Sequence, residues 1–205
     1  MSTVPGLREE LVRGAGWLGA AGALLNVAGI VSVVILARWL APADFGLVAI
    51  AATAHALLAS VTELSMGSAL IQSRSVTRTQ LDTAWTLNLL RSVGVGAAGC
   101  ALAVPVAAVY GDERLLPVLV VISLANILTG LASPRLALLV KELKYWQEFA
   151  LVTGQRLGSI CVSIAAALAL QDYRALVAGM VAHQVIGLGL SYVLAPYRPG
   201  LRLAP

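Results

Sequence analysis

Polar residues interrupt this chain at intervals that leave six long apolar stretches. A helix that crosses a bilayer needs about 20 mainly apolar residues. Runs of that kind cover 16–40, 45–66, 84–110, 115–139, 146–170 and 173–195. Ala41-Pro42-Ala43-Asp44 reads as a helix stop followed by an N-cap, and Gly111-Asp112-Glu113 and Gln171-Asp172 read as tight turns. The longer polar links are 67–83 and 134–145. No composition shift divides the chain, so a single domain over 1–205 is expected. Spanning strands would show segments of about ten alternating residues, whereas these runs are continuous and rich in Ala, Leu and Gly. The pattern predicts an all-α integral membrane fold, a bundle of six transmembrane helices. The first run is far longer than the about 7–15 residues of a signal-peptide core, so it is expected to be a retained helix.

Composition supports this reading. Of 205 residues, 59% are hydrophobic and 12% charged, against about 25% charged in soluble domains. So little charge cannot cover a water-exposed surface. The mean hydropathy of +0.87 likewise excludes intrinsic disorder, and two cysteines are too few for a disulfide scaffold. Cys100 and Cys161 fall inside predicted helices and read as packing residues. The net charge of +4 raises nucleic acid as a partner, but the fourteen basic residues are scattered singly and form no patch.

Their placement sets an orientation. Nine basic residues (Arg8, Arg13, Arg74, Arg78, Arg135, Lys141, Lys144, Arg198 and Arg202) fall on one side of six spans. Three (Arg38, Arg114 and Arg174) fall on the other, and Arg91 and Arg156 lie within spans. The positive-inside rule then puts both termini in the cytoplasm. Aromatic residues agree, with Trp17, Trp39, Trp85, Trp146, Tyr110, Tyr145, Tyr173 and Tyr192 all near segment ends.

Four segments carry stripes of small and polar residues at helical spacing. They are Gly22, Asn26 and Gly29; Ser123, Asn126, Gly130 and Ser133; Arg156, Ser159 and Ser163; and His183, Gly187 and Ser191. Such faces are expected to turn away from lipid, either into helix–helix contacts or around a shared polar cavity. Charges within spans narrow the chemistry. A central arginine costs about 2.5–3.5 kcal/mol on insertion scales, so Arg156, near mid-span, should face an interior, while Arg91 sits nearer an end. One reading makes them the ion-pair partners of Glu63. The other makes them a cationic wall for a phosphate or diphosphate, which the planar arginine fork suits well. Asn126 and Ser159 then complete a candidate substrate site with Arg156 and Arg91, and Glu63 serves as charge partner or coupling group. His55 and His183 are candidate proton-linked groups or hydrogen-bonded packing residues. No nucleophile elbow, zinc-protease helix, phosphate-binding glycine loop or paired aspartate cluster occurs. The chain is expected to be no enzyme, with neither cofactor nor metal.

Three stretches resemble the oligosaccharide flippase family, the Wzx-type polysaccharide transporters. One runs Ala37-Arg38-Trp39-Leu40-Ala41-Pro42-Ala43-Asp44-Phe45-Gly46-Leu47, with Ala41 where the family usually has Gly. A second runs from Ala69-Leu70-Ile71-Gln72 through Thr79-Gln80-Leu81-Asp82-Thr83-Ala84-Trp85-Thr86-Leu87-Asn88. The third joins Ala175-Leu176-Val177-Ala178-Gly179 to Pro196-Tyr197-Arg198-Pro199. The resemblance implies movement of polyprenyl-diphosphate-linked oligosaccharides across the bacterial inner membrane for surface polysaccharide or lipopolysaccharide synthesis. It also implies two similar lobes, of which six helices are one. The expected partners are the bilayer, the lipid-linked oligosaccharide, and a second lobe or a second copy. Two copies with both termini on one side could pair about an axis along the membrane normal. The alternatives are a multidrug-type exporter lobe, which the scarcity of carboxylates within spans disfavours, and a non-transporting scaffold or inactive fragment.

Overall fold

A computed structural model describes residues 22–23, 25–62, 78–136, 145–197 and 200. The described residues form helices and turns, with no strand among them. The helices are α1 (Leu25–Leu36), α2 (Pro42–Val61), α3 (Arg78–Tyr110), α4 (Leu115–Gly130), α5 (Tyr145–Leu170) and α6 (Arg174–Leu194). Of these, α2, α3, α5 and α6 are long and apolar enough to cross a membrane, and α1 and α4 are shorter. Their apolar surface is mostly not covered by the chain itself. Only 11% of the apolar window of α5 and 33% of that of α3 is buried. Apolar residues left outside in such numbers require lipid or another protein around them.

The helix ends differ from the hydropathy pattern for local reasons. The first segment leaves helical geometry after Leu36, short of Leu40, in a turn closed by Leu40 N–H to Leu36 O at 2.9 Å. At the start of α2, Pro42 takes a position that needs no N–H, and the Asp44 carboxylate accepts the Ala41 N–H at 3.2 Å. This helix starts earlier than expected and ends at Val61 rather than 66. Helix α3 begins at Arg78, not 84, because hydropathy misses a polar first turn. Its 33 residues span about 50 Å, longer than the about 30 Å thickness of a bilayer's hydrocarbon core. Helix α4 ends at Gly130, nine residues short of the predicted 139. The residue before a proline disfavours helical geometry, and Ser133, before Pro134, instead gives its N–H to Ser191 Oγ at 3.2 Å.

Helices α3 and α4 form one hairpin and α5 and α6 another, with closely matched turns. Gly111 (φ 67°) and Gln171 (φ 49°) each adopt the left-handed conformation just past a helix end. Their N–H groups bond back to Ala107 O at 2.9 Å and Ala167 O at 3.0 Å, satisfying carbonyls the helix leaves free. An aspartate follows each, and each pairs with the arginine two residues on: Asp112 with Arg114 at 2.8 Å, Asp172 with Arg174 at 3.6 Å.

Small residues form the seams within each hairpin. A Cβ on Gly99 would collide with the Ser123 side chain, one on Gly96 would lie 2.9 Å from Ile127 Cγ1, and one on Gly130 would meet Ser92. Along the second seam, Gly154, Gly158, Gly179 and Gly187 face Leu190, Ile186, Ser163 and Gln155 in turn. Close backbone approach of this kind maximises dispersion where lipid removes the hydrophobic driving force. The main core joins α2, α3, α4 and α6 near the 111 and 171 turns, with Ala51, Ala103, Leu115, Val118 and Leu119 at its centre. A smaller cluster of Leu36, Leu40, Ala167 and Ala175 ties α1 to the second hairpin.

Candidate functional site

Arg156 stands at the twelfth position of the 26-residue α5, about 16 Å from its start at 1.5 Å per residue. Its side chain is exposed. The guanidinium lies over α1 at Gly29, where an added Cβ would come within 3.3 Å of Nη2. Gly29 therefore leaves room for the arginine beside the neighbouring helix. Among the described residues, no hydrogen bond or ion pair engages this guanidinium. Ser159, half-buried one turn on, donates to Arg156 O at 2.9 Å and keeps its own lone pairs as acceptors. Ser163, the third residue of that stripe, is instead buried in the seam against Gly179.

Arg91 has a different setting. Its Nε donates to Thr62 O at 2.6 Å and its Nη2 to Ala59 O at 3.1 Å. These carbonyls belong to the C-terminal turn of α2, where the helix dipole places partial negative charge. Arg91 thus caps α2 from α3 and keeps Nη1 outside those bonds. No polar contact among the described residues joins Arg91 to Arg156. Asn126 is half-buried on α4, its backbone carbonyl accepting from Thr129 Oγ1 at 2.7 Å. Glu63, the expected charge partner, lies outside the described residues.

The other stripes resolve mostly into packing. Ser123 is fully buried and sits 3.5 Å from Nδ1 of the buried His55, above Gly99. Three helices therefore meet at one small polar node. His183 is half-buried on α6. Cys100 is half-buried and Cys161 exposed, and both are free thiols. No cluster of three or more metal-ligating side chains occurs among the described residues.

A second polar network was not expected from spacing alone. The carboxylate of Asp82, buried in the first turns of α3, accepts from Tyr197 OH at 2.5 Å and from Gly200 N–H at 2.9 Å. Burial first, and then the Asp82 hydrogen bond, push the Tyr197 phenol up to about 12. Ser133 Oγ donates to Ala195 O at 2.8 Å and Arg135 Nη1 to Pro196 O at 3.0 Å. Trp85 Nε1 and Tyr192 OH both donate to Leu131 O, at 3.3 and 2.8 Å. The chain leaving α6 is thereby strapped across the basic-rich end. Asp82 and Tyr197 come from two of the three stretches that carried the family resemblance, so those separated motifs meet in space. At the opposite end, Asp44 of the first motif faces Arg114 at 3.8 Å. Asp112 holds the Arg114 guanidinium above its ordinary value, and its own carboxyl is held down by the same bond.

Comparison with known proteins matches residues 35–204 to a family described as polysaccharide biosynthesis protein. The lipopolysaccharide biosynthesis protein WzxC of Escherichia coli strain K12 is 25% identical over 213 aligned residues, covering 96% of this chain and 42% of WzxC. The chain thus spans less than half the length of that relative. No solved structure matches.

Proposed function

Because the chain belongs to the polysaccharide biosynthesis protein family, we propose that it supplies a six-helix portion of a translocator for polyprenyl-diphosphate-linked oligosaccharide in the bacterial inner membrane. The observation that carries this reading is Arg156. A guanidinium at mid-helix depth, exposed and without a partner among the described residues, needs water or an anion beside it. A diphosphate meets that need with paired oxygens that match the arginine fork. Ser159 and Asn126 supply neutral hydrogen-bonding groups suited to sugar hydroxyls or phosphate oxygens, and the free Nη1 of Arg91 offers a second cationic contact. Glu63 serves as charge partner when no substrate is bound. Chemistry is limited to binding and release: the site lowers the cost of holding a charged head group within the apolar layer, and no covalent step is assigned.

A translocation path needs a second wall facing α1 and α5. A second six-helix unit, joined or separate, or a second copy of this bundle supplies it. Both termini lie in the cytoplasm, as the nine-to-three basic bias requires.

The test measures surface polysaccharide and folded protein together in cells carrying the complete transporting assembly. Arg156→Gln should lose most export at normal abundance, and Arg156→Lys should retain part of it, since charge survives but the planar fork does not. Normal export by Arg156→Gln at wild-type abundance ends this reading.

A further inference from the structure

An open groove of about 320 Å³ lies between the first turns of α4 and α6, lined by Pro117, Val118, Val121, Tyr173, Arg174 and Val177. Its volume falls at the small end of ligand clefts, about 300–1,000 Å³. The floor is apolar and the lip is charged. On α4, Pro117, Val121 and Leu124 are exposed at i, i+4 and i+7, so an apolar strip runs from the groove along the helix. On α6, Arg174 begins a parallel strip that passes Val181 and ends at the exposed Val185. A valley between two such strips, capped by an arginine at the helix end, has the shape of one lipid molecule seen from its head group.

The charges at the lip discriminate between lipids. The turns at 37–44, 111–114 and 171–174 hold three arginines against four carboxylates. That balance repels a head group of net negative charge and favours one that brings its own cation. Arg114 is engaged by Asp112 at 2.8 Å, whereas Arg174 and Asp172 stand 3.6 Å apart with side chains 70% and 36% exposed. Exposed pairs this loose are screened by solvent and contribute little, so a ligand with both charges can replace the contact at little cost.

We propose that this groove is a binding site for a zwitterionic phospholipid with a primary-amine head group. Its phosphate sits on Arg174, its ammonium on Asp172, and one acyl chain lies along Val121 and Val177. The inference needs only residence in a bilayer and does not depend on the transport reading.

Native mass spectrometry of the full chain in detergent, titrated with dioleoyl phosphatidylethanolamine or dioleoyl phosphatidylglycerol, tests it. The ethanolamine lipid should be retained at lower concentration. Arg174→Gln and Asp172→Asn should each weaken that retention about tenfold and erase the preference between the two lipids. Val121→Trp, which fills the exposed groove without touching either charge, should abolish the first adduct while helical circular dichroism and thermal midpoint stay at wild-type values. Equal retention of both lipids by the wild type, preference for the glycerol lipid, or unchanged retention in Arg174→Gln and Val121→Trp each overturns the proposal.

Discussion

The Arg91 guanidinium on α3 lies 2.6 Å from the Thr62 carbonyl at the end of α2. Helix α2 has no basic residue in its own last turn, so its terminal carbonyls are satisfied by a cation borrowed from a neighbour. The cap joins two helices that the sequence links through residues 63–77.

Replacing this cation should therefore show up as lost stability. Arg91→Met is expected to cost about 1–2 kcal/mol, combining hydrogen bonds from a charged donor with the helix-end field. A thermal melt in detergent checks this, and export should fall further than folded protein does, because the variant also removes the second cationic contact. An unchanged midpoint with export abolished would show that Arg91 acts on substrate alone.

The glycine seams make opposite predictions at neighbouring positions of similar composition. Gly130→Ala drives a methyl into the Ser92 side chain and to 3.0 Å from Asn88 O, and should destabilise by about 1–3 kcal/mol. Gly94→Ala meets nothing within 4 Å and should be neutral or stabilising by about 0.5–1 kcal/mol. Chemical unfolding of the two variants in parallel would falsify the seam assignment if their order were reversed.

Gln171 holds a left-handed conformation at φ 49°, which costs a side-chain-bearing residue about 1–2 kcal/mol relative to glycine. Gln171→Gly should raise the thermal midpoint, its gain reduced by the extra freedom glycine has when unfolded. The matched turn already has Gly111 in this place, so Gly111→Gln should lower the midpoint. No shift in either variant would remove the turn geometry from the stability of the hairpins.

Tyr197 carries a pH dependence whose sign follows from its environment. Its phenol titrates at about 12 in the folded chain against 10.0 for an unperturbed tyrosine. The fold thus favours the neutral form. The contribution of the Asp82–Tyr197 contact is fully present below pH 10.0 and is lost as pH rises from there through about 12. Subtracting the phenolate absorbance of Tyr197→Phe from that of the wild type isolates this titration. A midpoint at the unperturbed value would show that the strap is not formed.

Much of this architecture is legible from one dimension. Twenty-residue apolar runs, proline and aspartate at 42 and 44, and the two aspartate turns specify helices, because each signal acts within a few residues of itself. Helix ends were less legible where a polar turn continues α3 or where Ser133-Pro134 stops α4 early, since hydropathy reports burial from water and not backbone geometry. The candidate site divides in the same way. The depth of Arg156 and the composition of the stripes are properties of single segments. The partners of those residues are not: Ser123 meets Gly99 and His55, Ser163 meets Gly179, and Arg91 reaches back 29 residues to Thr62. Lipid tails are as apolar as leucine, so the hydrophobic pattern of a spanning helix does not mark which face a neighbour covers. By itself the sequence determined the all-helical class of the described residues and the family. Only the tertiary structure decided that most small and polar stripes are seams, that Arg91 is held at a helix end, and that Arg156 lies exposed beside Gly29, because each of those facts is a distance between two segments.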